Sequence, residues 1–283
     1  MVLESIINPL KAEKKPFDMF FIGLLYSSIA LFLSLWIFKE YASLVMVFLV
    51  TLACVPLIYS TIKMEERKDL VIDKERKLLK EHGKALSFFM FLFLGITVSI
   101  AIWYIFLPNS LISNLFNIQQ QTIVDINTDI TGNAIVQLNL FSKIFFNNIK
   151  VLVFCLLFSF VYGTGAIFIL SWNASVIGVA IGNVIRSNIS YYTANFGFMN
   201  VGNYFNVISF GLLKYALHGI PEILAYFIGG LAGGIISVAI IRHDFGTKSF
   251  EHILLDSTDL IILSVVFLVI AALLEVYITP VLF

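Results

Sequence analysis

Residues 17–62 read FDMFFIGLLYSSIALFLSLWIFKEYASLVMVFLVTLACVPLIYSTI. Apart from Asp18 near its start, the only charges in this stretch are the adjacent Lys39 and Glu40. On each side of that pair lies an apolar run long enough to cross a bilayer. An α-helix rises about 1.5 Å per residue, so a hydrocarbon core about 30 Å thick takes about 20 residues. Lipid offers no partners for backbone N–H and C=O groups, and each run must satisfy them internally, as a helix. The two-residue link therefore predicts a tight hairpin of two spans, about 17–38 and 41–62.

The rest of the chain follows the same logic. Apolar residues make up 59% of the 283 and charged residues 13%, against about 25% charge in a soluble domain. Further apolar runs predict spans near 85–107, 144–171, 219–241 and 260–279. The runs at 174–185 and 208–217 are shorter, so short or re-entrant segments are expected near 173–217. The fold class is all-α: a polytopic transmembrane helix bundle of about six or seven spans. The formal net charge of zero supplies no electrostatic case for nucleic acid as a partner. Cys54 and Cys155 both sit inside apolar runs and read as small buried hydrophobes. The first run continues through Lys39-Glu40 into the second and reads as a permanent helix, not a cleaved signal.

Charge sorts the loops. Residues 63–84 carry eight Lys or Arg, whereas 108–142 carry none. Lys11, Lys14 and Lys15 precede the first span, and Arg242 and Lys248 lie between the last two. The positive-inside rule then puts the N-terminus, 63–84 and 242–258 in the cytoplasm of a multi-pass cell-membrane protein. Seven crossings satisfy that pattern. Three parts follow: a two-span hairpin (1–62), a charged cytoplasmic helix ended by Gly83 (63–84), and a core membrane domain (85–283).

Ionisable groups inside spans are costly and usually face the bundle interior with partners. Here they are Lys150, Lys214, His218, Glu222 and Glu275. The run His218-Gly219-Ile220-Pro221-Glu222 reads as a helix start, because proline is tolerated in a first turn. If the helix reaches back to His218, it shares a face with Glu222, four residues on. One reading is an ion pair fixing a helix at the interface. The other is a proton-transfer pair, or ligands of a divalent metal such as zinc. Glu275 lies deep in the uncharged run 261–280, with His218 and Lys214 as candidate partners. Together with Asn147, Asn148 and Asn173, these residues form the expected intramembrane polar site. His218, Glu222 and Glu275 are its candidate metal set; otherwise no cofactor is expected. Gly178 and Gly182, with Gly229, Gly230, Gly233 and Gly234, fit the small-residue spacing of close helix packing. Such a stripe serves packing within one chain or a homodimer. The sequence contains no phosphate-binding glycine loop, no His-Glu-x-x-His and no nucleophile elbow, so no residue is assigned a catalytic role.

The order of these elements resembles a known family. Asn147-Asn148, the Gly163 region, Asn173 with Gly178, His218-Gly219-Ile220-Pro221-Glu222, the glycine-rich helix, then Ala271-Ala272 with Glu275 and Thr279-Pro280 are similar to the stage II sporulation protein M family of archaea and bacteria. The resemblance covers about 85–283. It implies an integral membrane protein and, in spore formers, a scaffold working with cell-wall-degrading partners. It carries over no catalytic residues.

Three readings of function follow. The first is a membrane scaffold or assembly protein of the cell envelope with membrane-protein partners. It expects 63–84 or 108–142 to bind another protein. The second is a transporter or permease-like component. It expects a water-accessible pocket reaching Glu275. The third is an intramembrane metal-dependent enzyme. It expects His218, Glu222 and Glu275 to hold the metal.

Overall fold

In a computed structural model the described residues are 15–72, 74–128, 135–196, 201–242 and 246–282. The expected hairpin is present as α1 (Asp18–Ile37) and α2 (Ala42–Val71). Phe38 N–H closes α1 on Ser34 O at 2.9 Å, and Tyr41 N–H donates to Phe38 O at 2.8 Å across the turn. Helix α2 has 30 residues, about 45 Å at 1.5 Å each, so its last turns extend beyond a hydrocarbon core. Helix α3 (Glu75–Phe106) overhangs at the same end. Residues 63–84 are thus not a separate solvated helix. Residues 63–71 complete α2, residues 75–84 open α3, and Gly83 sits inside α3. The two overhangs pack together, which buries charges that the sequence pattern assigns to water. Glu65, Glu66, Asp69 and His82 are at most 4% exposed.

The polar stretch after α3 is not an irregular loop throughout. It contains α4 (Asn109–Leu115) and α5 (Asn117–Thr128). The next span is also displaced. Instead of 144–171, helix α6 covers Ile135–Tyr162 and α7 covers Ala166–Phe196, with the reversal at 163–165. Apolar residues flank that reversal on both sides, so hydropathy does not mark it. Gly163 does, with φ 70°, a conformation glycine reaches without a Cβ penalty.

Helix α8 runs without interruption over Val201–Arg242, 42 residues with Pro221 inside. The expected helix start at Gly219–Pro221 is therefore an interior position. Membrane helices tolerate an internal proline where neighbouring groups compensate for the missing hydrogen bond. The short segments expected near 173–217 belong to the two long helices α7 and α8. Helix α9 (Lys248–Leu273) is N-capped by Thr247, whose Oγ1 accepts from Phe250 N–H at 3.2 Å. It passes into a π-helical turn (Leu274–Ile278) and a last short helix, α10 (Thr279–Leu282).

Among the described residues seven helices are long and apolar enough to cross a membrane, so the chain is an all-α, multi-pass membrane protein. Helix α8 is the hub. Its apolar window is 83% buried, against 22% for α6 and 28% for α9, and it packs on α9, α6 and α7. Helix α1 lies on α3, and α3 on α7. Outward side chains such as Phe21, Leu25, Phe48 and Leu52 remain exposed, which suits a lipid-facing surface and no aqueous one.

A polar cavity between α6, α7, α8 and the π-turn

One face of α6 carries Lys143, Asn147 and Lys150, at helical spacings of four and three, with Asn148 beside them. Asn173 on α7, Glu222 and Tyr226 on α8, and Glu275 on the π-turn converge opposite. Together they line a cavity of about 400 Å³. Five residues expected to form a polar site, Asn147, Asn148, Asn173, Glu222 and Glu275, thus meet around one space.

Two features fix the acidic wall. The Tyr226 hydroxyl donates to Glu222 Oε1 at 2.8 Å, and Tyr226 is wholly buried, so one carboxylate oxygen is held on α8. The π-turn sets the other acid. A π-turn widens the helix by one residue and recurs at functional positions. Here Thr279 Oγ1 donates to Leu274 O at 2.9 Å, five residues back. Glu275 then lies near enough to Glu222 for the two carboxylates to repel. On the other wall, Asn148 is 5% exposed and its Nδ2 has no hydrogen-bond partner. Asn173 is tied back to its own helix, Nδ2 donating to Ile169 O at 2.8 Å.

Two expected members stand apart. His218 is not on the cavity lining. Its Nδ1 lies 3.4 Å from Thr279 Oγ1, one turn beyond Glu275. The side chain of Lys214 lies outside the described residues. The expected metal set therefore does not assemble: among the described residues no three His, Cys, Asp or Glu side chains gather so as to hold a metal ion. His218 and Glu222 do lie four residues apart on the continuous α8, but the imidazole Nδ1 meets Thr279 Oγ1 and Glu222 is engaged by Tyr226.

The expected packing glycines lie at helix crossings within the chain. A Cβ on Gly178 would meet Thr97 O and Ile100, and one on Gly182 would meet Tyr104 and Ala101 O. Gly229 and Gly233 face Leu152 and Leu156 of α6, Gly230 faces Ala166, and Gly234 faces Gly163 and Ile62.

Some polar residues escaped the sequence reading. Lys150 was visible as an intramembrane charge but not as a neighbour of the glutamates, because that pairing depends on how α6 crosses α8. Tyr226 was hidden among apolar residues, although its four-residue spacing from Glu222 marks it. At the opposite end of the bundle from the charged overhangs, Arg186 on α7 caps α3. Its Nη1 donates to the carbonyls of Tyr104 and Leu107 at 2.8 and 2.7 Å, and its Nη2 to Asn109 Oδ1 at 2.7 Å. A cation suits the negative end of a helix dipole.

The model of one family, described as stage II sporulation protein M, matches residues 84–280. The match takes in every residue lining the cavity and leaves out the α1–α2 hairpin. No curated protein and no solved structure matches the chain. With most of its length covered and seven apolar helices around a common core, the chain belongs to the stage II sporulation protein M family.

Proposed function

We propose that this protein binds a small polar solute within the bundle and works as a transport-type membrane component. The observation that carries the reading is the cavity of about 400 Å³ lined by Asn148, Glu222 and Glu275. Tight helix packing normally leaves no polar cleft of this size between helices. Ionisable side chains inside a bundle mark solute or ion pathways more often than structural joints. A buried amide without a partner is costly for stability, and a bound solute would complete it. Of the three readings open at the sequence level, this one expects a pocket reaching Glu275. The scaffold reading rests on the family resemblance, and no feature of the cavity favours it.

Transport requires that the cavity open to each side in turn. The test places a cysteine at Asn147, which is exposed on the cavity lining. Cys54 and Cys155 are fully buried and serve as unreactive background. In proteoliposomes, a membrane-impermeant thiol reagent is supplied either outside or trapped inside. Modification of Asn147→Cys from both sides is the expected result. Modification from one side only identifies a fixed binding or assembly site and overturns transport.

A further inference from the structure

We infer that the cavity takes a zwitterion, an amino acid or aminophosphate whose oxyanion meets Lys150 and Asn148 on α6 and whose ammonium meets Glu222 and Glu275. The inference rests on the solute-binding reading and narrows it to a substrate class.

The cavity has two walls of opposite character. Helix α6 presents Lys150 and the Asn148 amide, with Lys143 one turn below Asn147. Helix α8 and the π-turn present two carboxylates. No ion pair among the described residues joins Lys150 to either glutamate, so the walls do not neutralise each other across the gap. A simple anion would face two carboxylates, and a simple cation would leave Lys150 unanswered. A solute bearing both charges satisfies both walls at once.

The orphan amide is an independent indication. Asn148 Nδ2 is a buried donor with nothing to donate to, and a donor on the lysine wall calls for an oxyanion there. The volume suits the class as well, since about 400 Å³ lies toward the small end of ligand pockets, roughly 300–1,000 Å³. The same chemistry occurs free, as phosphoethanolamine or β-alanine, and attached to lipid, as the phosphatidylethanolamine headgroup.

The experiment titrates the purified full-length chain in detergent micelles with phosphoethanolamine and β-alanine. In parallel it is titrated with the separate halves, ethanolamine and methyl phosphate. One saturable site is expected for a zwitterion, with each half bound at least about tenfold more weakly, the equivalent of one lost ionic contact. Glu275→Gln should weaken the zwitterion about tenfold and leave methyl phosphate as before. Lys150→Met should weaken it equally and leave ethanolamine as before. Each variant's thermal transition without ligand checks that it folds. Nanodiscs of phosphatidylglycerol, with and without phosphatidylethanolamine, separate the two sources. A lipid occupant raises the transition temperature only with phosphatidylethanolamine, and Glu275→Gln removes that rise.

Ethanolamine or methyl phosphate binding as tightly as the zwitterions overturns the inference. So does the absence of any zwitterion binding in micelles together with no phosphatidylethanolamine effect in nanodiscs. Two-sided labelling at position 147 is independent of these outcomes, so the transport reading stands or falls separately.

Discussion

Asn148 is the residue at which stability and function conflict most directly. Burying a donor without a partner costs roughly 1–3 kcal/mol, whereas replacing it with an apolar group of similar size removes that cost. Asn148→Leu should therefore leave the thermal transition of the purified protein unchanged or raise it, while zwitterion binding falls below detection. A purely structural asparagine gives the opposite result, because its loss lowers the transition. Arg186 supplies the contrast. It is a half-buried cation whose bonds go to the carbonyls of Tyr104 and Leu107 and to Asn109, so its donors are answered within the protein.

At the scale of elements, the tightest crossing joins α1 to α3. A Cβ on Gly95 would strike the Phe20 carbonyl, and one on Gly23 would strike the Leu92 carbonyl. Backbone cannot swing aside as a side chain can, so Gly95→Ala should destabilise by about 1–3 kcal/mol through overpacking. Gly219, inside α8, has nothing within 4 Å of its Cβ position. Gly219→Ala should stabilise by up to about 1 kcal/mol through helix propensity alone. Thermal unfolding of the two variants in one detergent checks the opposite signs. These elements also show how far sequence reads. The hairpin 17–62 was legible because two charges interrupt two apolar runs. The reversal at 163–165 was not, since apolar residues continue through it and only Gly163 carries the turn. The start expected at Pro221 failed for a related reason, because proline marks a helix start only where water or a chain end takes over the lost hydrogen bonds. In the candidate site, glutamates and asparagines were individually conspicuous. Their meeting around one cavity depends on the α6–α8 crossing and the π-turn, which no local pattern encodes.

At the scale of the whole molecule, the charged end holds the N-terminal hairpin to the family core. His82 of α3 sits between two carboxylates of α2, with Nδ1 2.8 Å from Glu65 Oε2 and Nε2 3.0 Å from Asp69 Oδ1. Arg242, at the end of α8, donates to Glu66 Oε2 at 3.2 Å. Removing one partner from such a buried cluster leaves charge uncompensated and typically costs about 3–5 kcal/mol. His82→Leu should lower the thermal transition sharply. Asp69→Asn added to it should recover part of the loss, because the neutral amide no longer strands a charge, while Glu65 keeps Lys68 at 2.7 Å.

The same end predicts how the bundle sits in the membrane. If all seven apolar helices cross, the number of crossings is odd, and the charged overhangs of α2 and α3 and the C-terminal turn face opposite compartments. With eight Lys or Arg in 63–84 against none in 108–142, the positive-inside rule predicts that the overhangs are cytoplasmic. Lys80 is exposed on the overhang and Val281 is 83% exposed on α10, so each accepts a cysteine without disturbing a buried contact. In intact cells, an impermeant thiol reagent should modify Val281→Cys and spare Lys80→Cys until the membrane is opened. Protection of both positions, or reaction of both, requires an even number of crossings. One of the seven helices would then lie along the membrane surface, and the lightly buried α6 and α9 would be the first to reconsider. Loss of α6 from the bundle would take away the lysine wall of the cavity, so the topology measurement also bears on whether the solute site is enclosed by the membrane at all.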